Sequence, residues 1–143
     1  MLDVTQAPAV AAPYHLDLLP DLDPPVRVEV RVATRADKLA ARSAGRTAGR
    51  TGGDAWDAHV AFVLALAQRV ILSWEGIGDA SGPVKPTRDQ LVTDPETGVV
   101  VEVIPGTISN LMNSDVGAYE AFERDYVTPL LVAELAVADE KKG

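Results

Sequence analysis

The sequence has no cysteine, only 2 histidines and 5% aromatic residues, and each scarcity removes a class of chemistry. Without cysteine there is no disulfide, no thiolate nucleophile and no Cys-ligated metal. His15 lies in a proline-rich stretch and His59 three residues after Trp56. Neither has the HExxH type of spacing, so both are expected to be satisfied or surface histidines, with no metal site. No GxSxG and no P-loop motif is present, and Gly76-Ile77-Gly78 lacks the third glycine of a dinucleotide fingerprint and is not expected to follow a strand. A long run free of polar residues is missing too. The most apolar stretch is interrupted by Asp57, His59, Gln68 and Arg69, which argues against a membrane span. Residues 1–13 lack the basic start and continuous apolar run of a signal peptide, so a soluble cytosolic protein is expected.

Positive charge is scarce in the second half. Residues 1–74 balance, and residues 75–143 carry the whole net charge of −8. An acidic half disfavours non-specific nucleic-acid binding and suits a basic protein partner, the plain alternative being a solvated surface. Glu75 with Asp79, or Glu120 with Glu123, offer carboxylates for acid–base work, but such acids are commonly a solvated face. No enzyme and no cofactor is expected.

What the 143 residues do contain, 47% of them hydrophobic, is enough for a core. The stretch Asp54–Gly76 organises the chain. Trp56, Val60, Val63, Ala67, Val70, Ile71 and Trp74 recur at helical spacing, and Phe62, Leu64, Leu66 and Leu72 widen the stripe. The spacing predicts a central apolar helix over this range. Gly53 or Asp54 caps its start, Asp57 lies in the first turn, and Gly76 ends it. Both tryptophans then share one face, buried core being the default and a partner hot spot the alternative.

Residues 1–25 hold Pro8, Pro13, Pro20, Pro24 and Pro25 and read as an extended or irregular arm that Tyr14, Leu16, Leu18 and Leu19 can dock. Val26–Val32 alternates valine with Arg27, Glu29 and Arg31, a half-buried strand. Thr34 and Asp37 form a capping-box variant for a short helix to about Ala44. Residues 44–53, AGRTAGRTGG, read as a flexible loop, although a continued helix would align Arg42, Arg46 and Arg50. Residues 77–86 read as a loop, Thr87-Arg88-Asp89-Gln90 as the start of a helical turn through Val92, and residues 94–98 as a turn. Val99–Ile104 is a second strand, expected to pair with Val26–Val32.

Thr107 or Ser109 caps a short helix holding Ile108, Leu111 and Met112, and Ser114 or Asp115 caps the next. On that helix Val116, Tyr119, Phe122 and Tyr126 form a stripe, and Pro129 should kink or restart it near Thr128. The fold class is therefore α+β, mainly helical: a Pro-rich arm over 1–25 and a single globular domain over 26–143 with a small two-stranded sheet.

Three stretches carry a resemblance: V70-I71-L72-S73-W74-E75-G76-I77-G78-D79 with the following S81-G82-P83-V84-K85-P86-T87, then A121-F122-E123-R124-D125-Y126, and the opening VRVEVRVATRADKLA. Together they resemble the tail assembly chaperones of long-tailed bacteriophages and prophages, over roughly residues 26–143. The resemblance implies a non-enzymatic viral protein of the host cytoplasm that coats the tape measure protein and helps recruit tail-tube subunits. The expected partners are thus these proteins or, in a homo-oligomer, further copies of the chain. Neither nucleic acid nor membrane is expected, from the acidic half and the interrupted helix. Trp74, Phe122 and Tyr126 are the expected partner-binding anchors, beside an apolar groove. Some such chaperones also have a frameshifted longer product, for which Glu140-Lys141-Lys142-Gly143 is a candidate slippery site. The competing expectations are a structural virion component of the tail or head–tail connector, and a small enzyme using the carboxylates.

Overall fold

The computed structural model describes residues 11–142, with side chains through Leu135, as a mixed α+β structure. The start of the arm and the terminal candidate slippery site lie wholly or partly outside the described side chains. Strands β1 (Tyr14–Leu19), β2 (Val26–Val30) and β3 (Ile71–Glu75) form an antiparallel sheet in the order β1-β2-β3. Between β2 and β3 run helices α1 (Arg35–Arg50) and α2 (Ala55–Val70), packed against each other. After β3 come a minimal hairpin, β4 (Gly78–Asp79) with β5 (Gly82–Pro83), and a longer one, β6 (Gln90–Thr93) with β7 (Val100–Ile104). The chain ends in α3 (Thr107–Ser114), α4 (Val116–Phe122), a π-helical turn over Glu123–Val127, and α5 (Thr128–Lys142).

The strand expected over Val26–Val32 ends at Val30, and its alternation holds that far; Val32 lies beyond it and is 46% exposed. Val26, Val28 and Val30 are buried, Arg27 is exposed and Glu29 half-buried. The arm contributes more than docking, because Tyr14 to Leu19 pairs with this strand from Tyr14↔Val30 to Leu19↔Val26. A boundary at residue 25 therefore falls within the first hairpin of the sheet.

The long helix is shorter than its spacing predicts. It stops at Val70, and Ile71 to Glu75 turn without a loop into β3, pairing Val28↔Trp74 and Glu29↔Ser73. Ile71 and Trp74, three apart, fit a helical stripe but not a regular strand. A register irregularity that skips Leu72 sets them opposite Val30 and Val28, and cross-strand pairing with the open edge of β2 outweighs local periodicity. Asp54 caps α2 reciprocally with Asp57, at 2.9 and 3.2 Å. Gly76 does not end a helix; it turns the chain out of β3 with φ +81, and a Cβ there would lie 2.2 Å from the Pro25 carbonyl oxygen. Gly76→Ala is expected to cost about 2 kcal/mol or more, read as a lower urea midpoint; an unchanged midpoint would contradict this packing.

Residues 44–50 of the glycine-rich stretch are helix, and only residues 51–53 turn the chain toward α2. Helix α1 runs through to Arg50, and a Cβ on buried Gly45 would come within 3.1 Å of the Ala58 carbonyl oxygen. Its glycine serves close approach of α1 to α2, which offsets its low helix propensity. Thr87–Gln90 is not a helix start either. Residues Gln90–Thr93 form β6, so the small sheet expected from Val26–Val32 and Val99–Ile104 is two separate sheets. Asp115 caps α4 through Ala118 N at 3.0 Å, whereas α3 has Gly106 at its N-cap and no side-chain cap. Pro129 lacks the amide hydrogen that would bond the Asp125 carbonyl, and the helix widens to a π-turn just before it, with Thr128 N–H donating to Glu123 O.

Candidate partner-binding surface

Among the described residues the β6–β7 hairpin lies uncovered by the sheet and helices. Every residue of β6 and β7 is exposed, including Leu91 at 63%, Val101 at 63% and Val103 at 49%. Leu91 pairs with Val103, and Val101 lies two residues from Val103, so the three share one face. A two-stranded sheet with nothing packed on it is marginal in water. Apolar surface left open in this way makes the hairpin a candidate interaction surface.

The base of this hairpin is firmly held. Thr87 N donates to Thr107 Oγ1 at 2.7 Å and Thr107 N to Thr87 Oγ1 at 2.8 Å, a reciprocal clamp. Asp89 N donates to Gln68 Oε1 of α2 at 2.8 Å, while Asp89 Oδ1 accepts from Gly106 N at 2.9 Å. At the tip, Asp94 accepts from Glu96 N through its side chain and from Gly98 N through its carbonyl, both at 2.8 Å. These bonds explain why Thr87 and Asp89 do not begin a helix: their polar groups are engaged across the chain. The hairpin carries Asp94, Glu96 and Glu102, and no Lys, Arg or His lies between Arg88 and Arg124.

A second apolar depression, about 260 Å³, lies where α2 meets α3 and α4. Trp56 and Val116, 64% and 69% exposed, edge it with Met112, Tyr119, Glu120 and Glu123. The Tyr119 hydroxyl is buried there and, among the described residues, has no hydrogen-bond partner. Burial first, then the charge of Glu123, pushes it up to about 12. Tyr119 therefore stays neutral at physiological pH.

The expected anchors Trp74, Phe122 and Tyr126 are not displayed. Phe122 and Tyr126 are buried and stacked at 5.1 Å, and the Tyr126 hydroxyl donates to the Arg31 carbonyl at 2.7 Å. Trp74 is half-buried on β3, its indole N–H donating to Val84 O at 2.7 Å. The aromatic stripe is core, because its side of α4 faces the sheet. Trp56 is on a helix and Trp74 on a strand, so the shared helical face does not exist.

Other candidates have structural contacts. His59 Nε2 lies 2.8 Å from Glu123 Oε2, and His15 3.9 Å from Glu29. Asp79 accepts from Ser81 N at 2.7 Å. Arg42 pairs with Glu134 at 2.6 Å, tying α1 to α5. Gly76-Ile77-Gly78 does follow a strand, but it opens into the short β4–β5 hairpin, not a helix, and cannot present a phosphate-binding helix N-terminus. Among the described residues no group of three His, Asp or Glu is placed to hold a metal ion, and no helix is long and apolar enough to cross a membrane.

No family model, no curated protein and no solved structure matches this chain.

Proposed function

We propose that the chain is a phage tail assembly chaperone: a non-enzymatic, cytoplasmic protein that binds the tape measure protein and helps recruit tail-tube subunits. In this reading it is one domain built around the apolar helix α2. The observation that carries the proposal is the β6–β7 hairpin, held at its base and exposed along both strands in a segment without cations. A holder of apolar, basic chain needs accessible apolar surface and opposite charge, which also raises the encounter rate. Because Phe122 and Tyr126 are buried, this reading takes the hairpin, and not the aromatic stack, as the partner surface.

Quantitative mass spectrometry of purified particles against the lysate that produced them tests the proposal. The expected result is abundant protein in the lysate and none in the particle. A fixed copy number per particle would instead make the chain a structural virion component of the tail.

A further inference from the structure

We infer that the outer edge of β7 receives an extended partner segment of alternating apolar and basic residues, which adds a third strand to the β6–β7 hairpin. This deepens the chaperone reading and rests on it for biological meaning only. β7 is the second strand of a two-stranded sheet, and among the described residues its outer edge has no backbone partner. Proteins commonly blunt such an edge with lysine, proline or a covering element. Val100-Val101-Glu102-Val103-Ile104 has no lysine, no proline and no cover; the register irregularity lies toward the turn, opposite Val92 and Thr93. Four of its five residues are β-branched and apolar, the composition that pairs most readily.

Alternation defines the occupant. Val101 and Val103 point to one face, and Glu102 to the other, between Val100 and Ile104. An added strand would set its apolar residues beside the two valines and its lysines or arginines beside Glu102, with Asp94 and Glu96 at the turn adding to the attraction. A second copy of this chain fits less well, since two β7 edges would bring Glu102 of both copies into one sheet, and like charges oppose pairing. The bonds from Thr87, Asp89 and Gln68 hold the hairpin base in place, so little ordering is left to the binding step.

The probe is a synthetic eight-residue peptide alternating valine and lysine, titrated into the full chain and followed by amide NMR shifts. Shifts confined to residues 90–104, and binding that weakens as salt rises, are expected. A peptide with glutamate for lysine should not bind. N-methylation of alternate peptide amides should abolish binding, because strand addition needs those donors. Val103→Lys should weaken binding about tenfold or more, with far-UV CD unchanged because the site is exposed. Shifts elsewhere, equal binding of the acidic or N-methylated peptide, or a dimer whose β7 amides are already protected would overturn the inference. No phage component enters this experiment, so strand addition and the chaperone reading can fail separately.

Discussion

Asp37→Ala is expected to destabilise the chain by about 3 kcal/mol, which at this length lowers the melting temperature by roughly 10 °C. Asp37 is fully buried at the start of α1. Both oxygens of its carboxylate are engaged by the Arg31 guanidinium, Oδ1 also accepts from Arg69 Nε at 2.9 Å, and Oδ2 accepts from Thr34 N at 2.8 Å. One side chain thus ties the end of β2, the cap of α1 and the last turn of α2. Removing it leaves two guanidinium groups and a backbone donor without their anion. Both arginines are partly exposed, so water recovers some of the loss, and the expected cost sits at the low end for a broken buried pair.

The same contact predicts a pH dependence. The Arg31 guanidinium holds the Asp37 carboxyl well below the usual carboxylate range, against the opposing effect of burial. A carboxyl whose folded value is depressed binds its proton more readily in the unfolded chain. Its stabilisation is therefore complete above the unfolded value of about 4 and is lost as pH falls through the folded one. Urea midpoints at pH 7, 4 and 3 should fall more steeply for the wild type than for Asp37→Asn. Parallel curves would remove Asp37 from the account of acid stability.

The second large effect is at Phe122. Phe122→Ala is expected to cost about 4 kcal/mol, a large share of the roughly 5–15 kcal/mol that holds a domain together. Its ring is fully buried and lies nearly parallel to Tyr126, whose hydroxyl reaches the β2–α1 connection at Arg31. The cavity would separate α4 from the sheet, and a melt monitored by near-UV CD should show a lower, broader transition. Exposed Trp56→Ser should stay within about 0.5 kcal/mol of wild type. A small loss at Phe122 would mean that the stack is not core. The contrast matters for function, because partner binding lost in a Phe122 variant reports unfolding, whereas loss in an exposed β7 variant with native CD reports the surface.

Several features were legible in the residues alone. The valines of Val26–Val30 require a buried face by their period of two, and Thr34 with Asp37 and Asp54 with Asp57 mark two helix starts through chemistry local to four residues. Pro129 announces a disturbed helix because a missing donor acts on its own turn. The absence of cations from Asp89 to Glu123, and the β-rich runs on either side of the Asp94–Gly98 turn, already contained the hairpin. The capping-box pattern at Thr87–Gln90 competed with it locally and obscured it.

Tertiary structure decided what local pattern leaves degenerate. Leu72 to Glu75 alternate apolar and polar residues while Ile71 and Trp74 keep helical spacing, and the free edge of β2 makes the segment a strand. The AGRT repeat is poor helix by propensity, and the close approach of Gly45 to Ala58 makes it helix. Phe122 and Tyr126 form a stripe that suits a core or an interface equally, and the sheet beneath α4 makes it core. Among the described residues the hairpin, by contrast, keeps an exposed apolar face. Periodicity fixes which residues share a face, whereas only the spatial arrangement of distant segments fixes what that face meets.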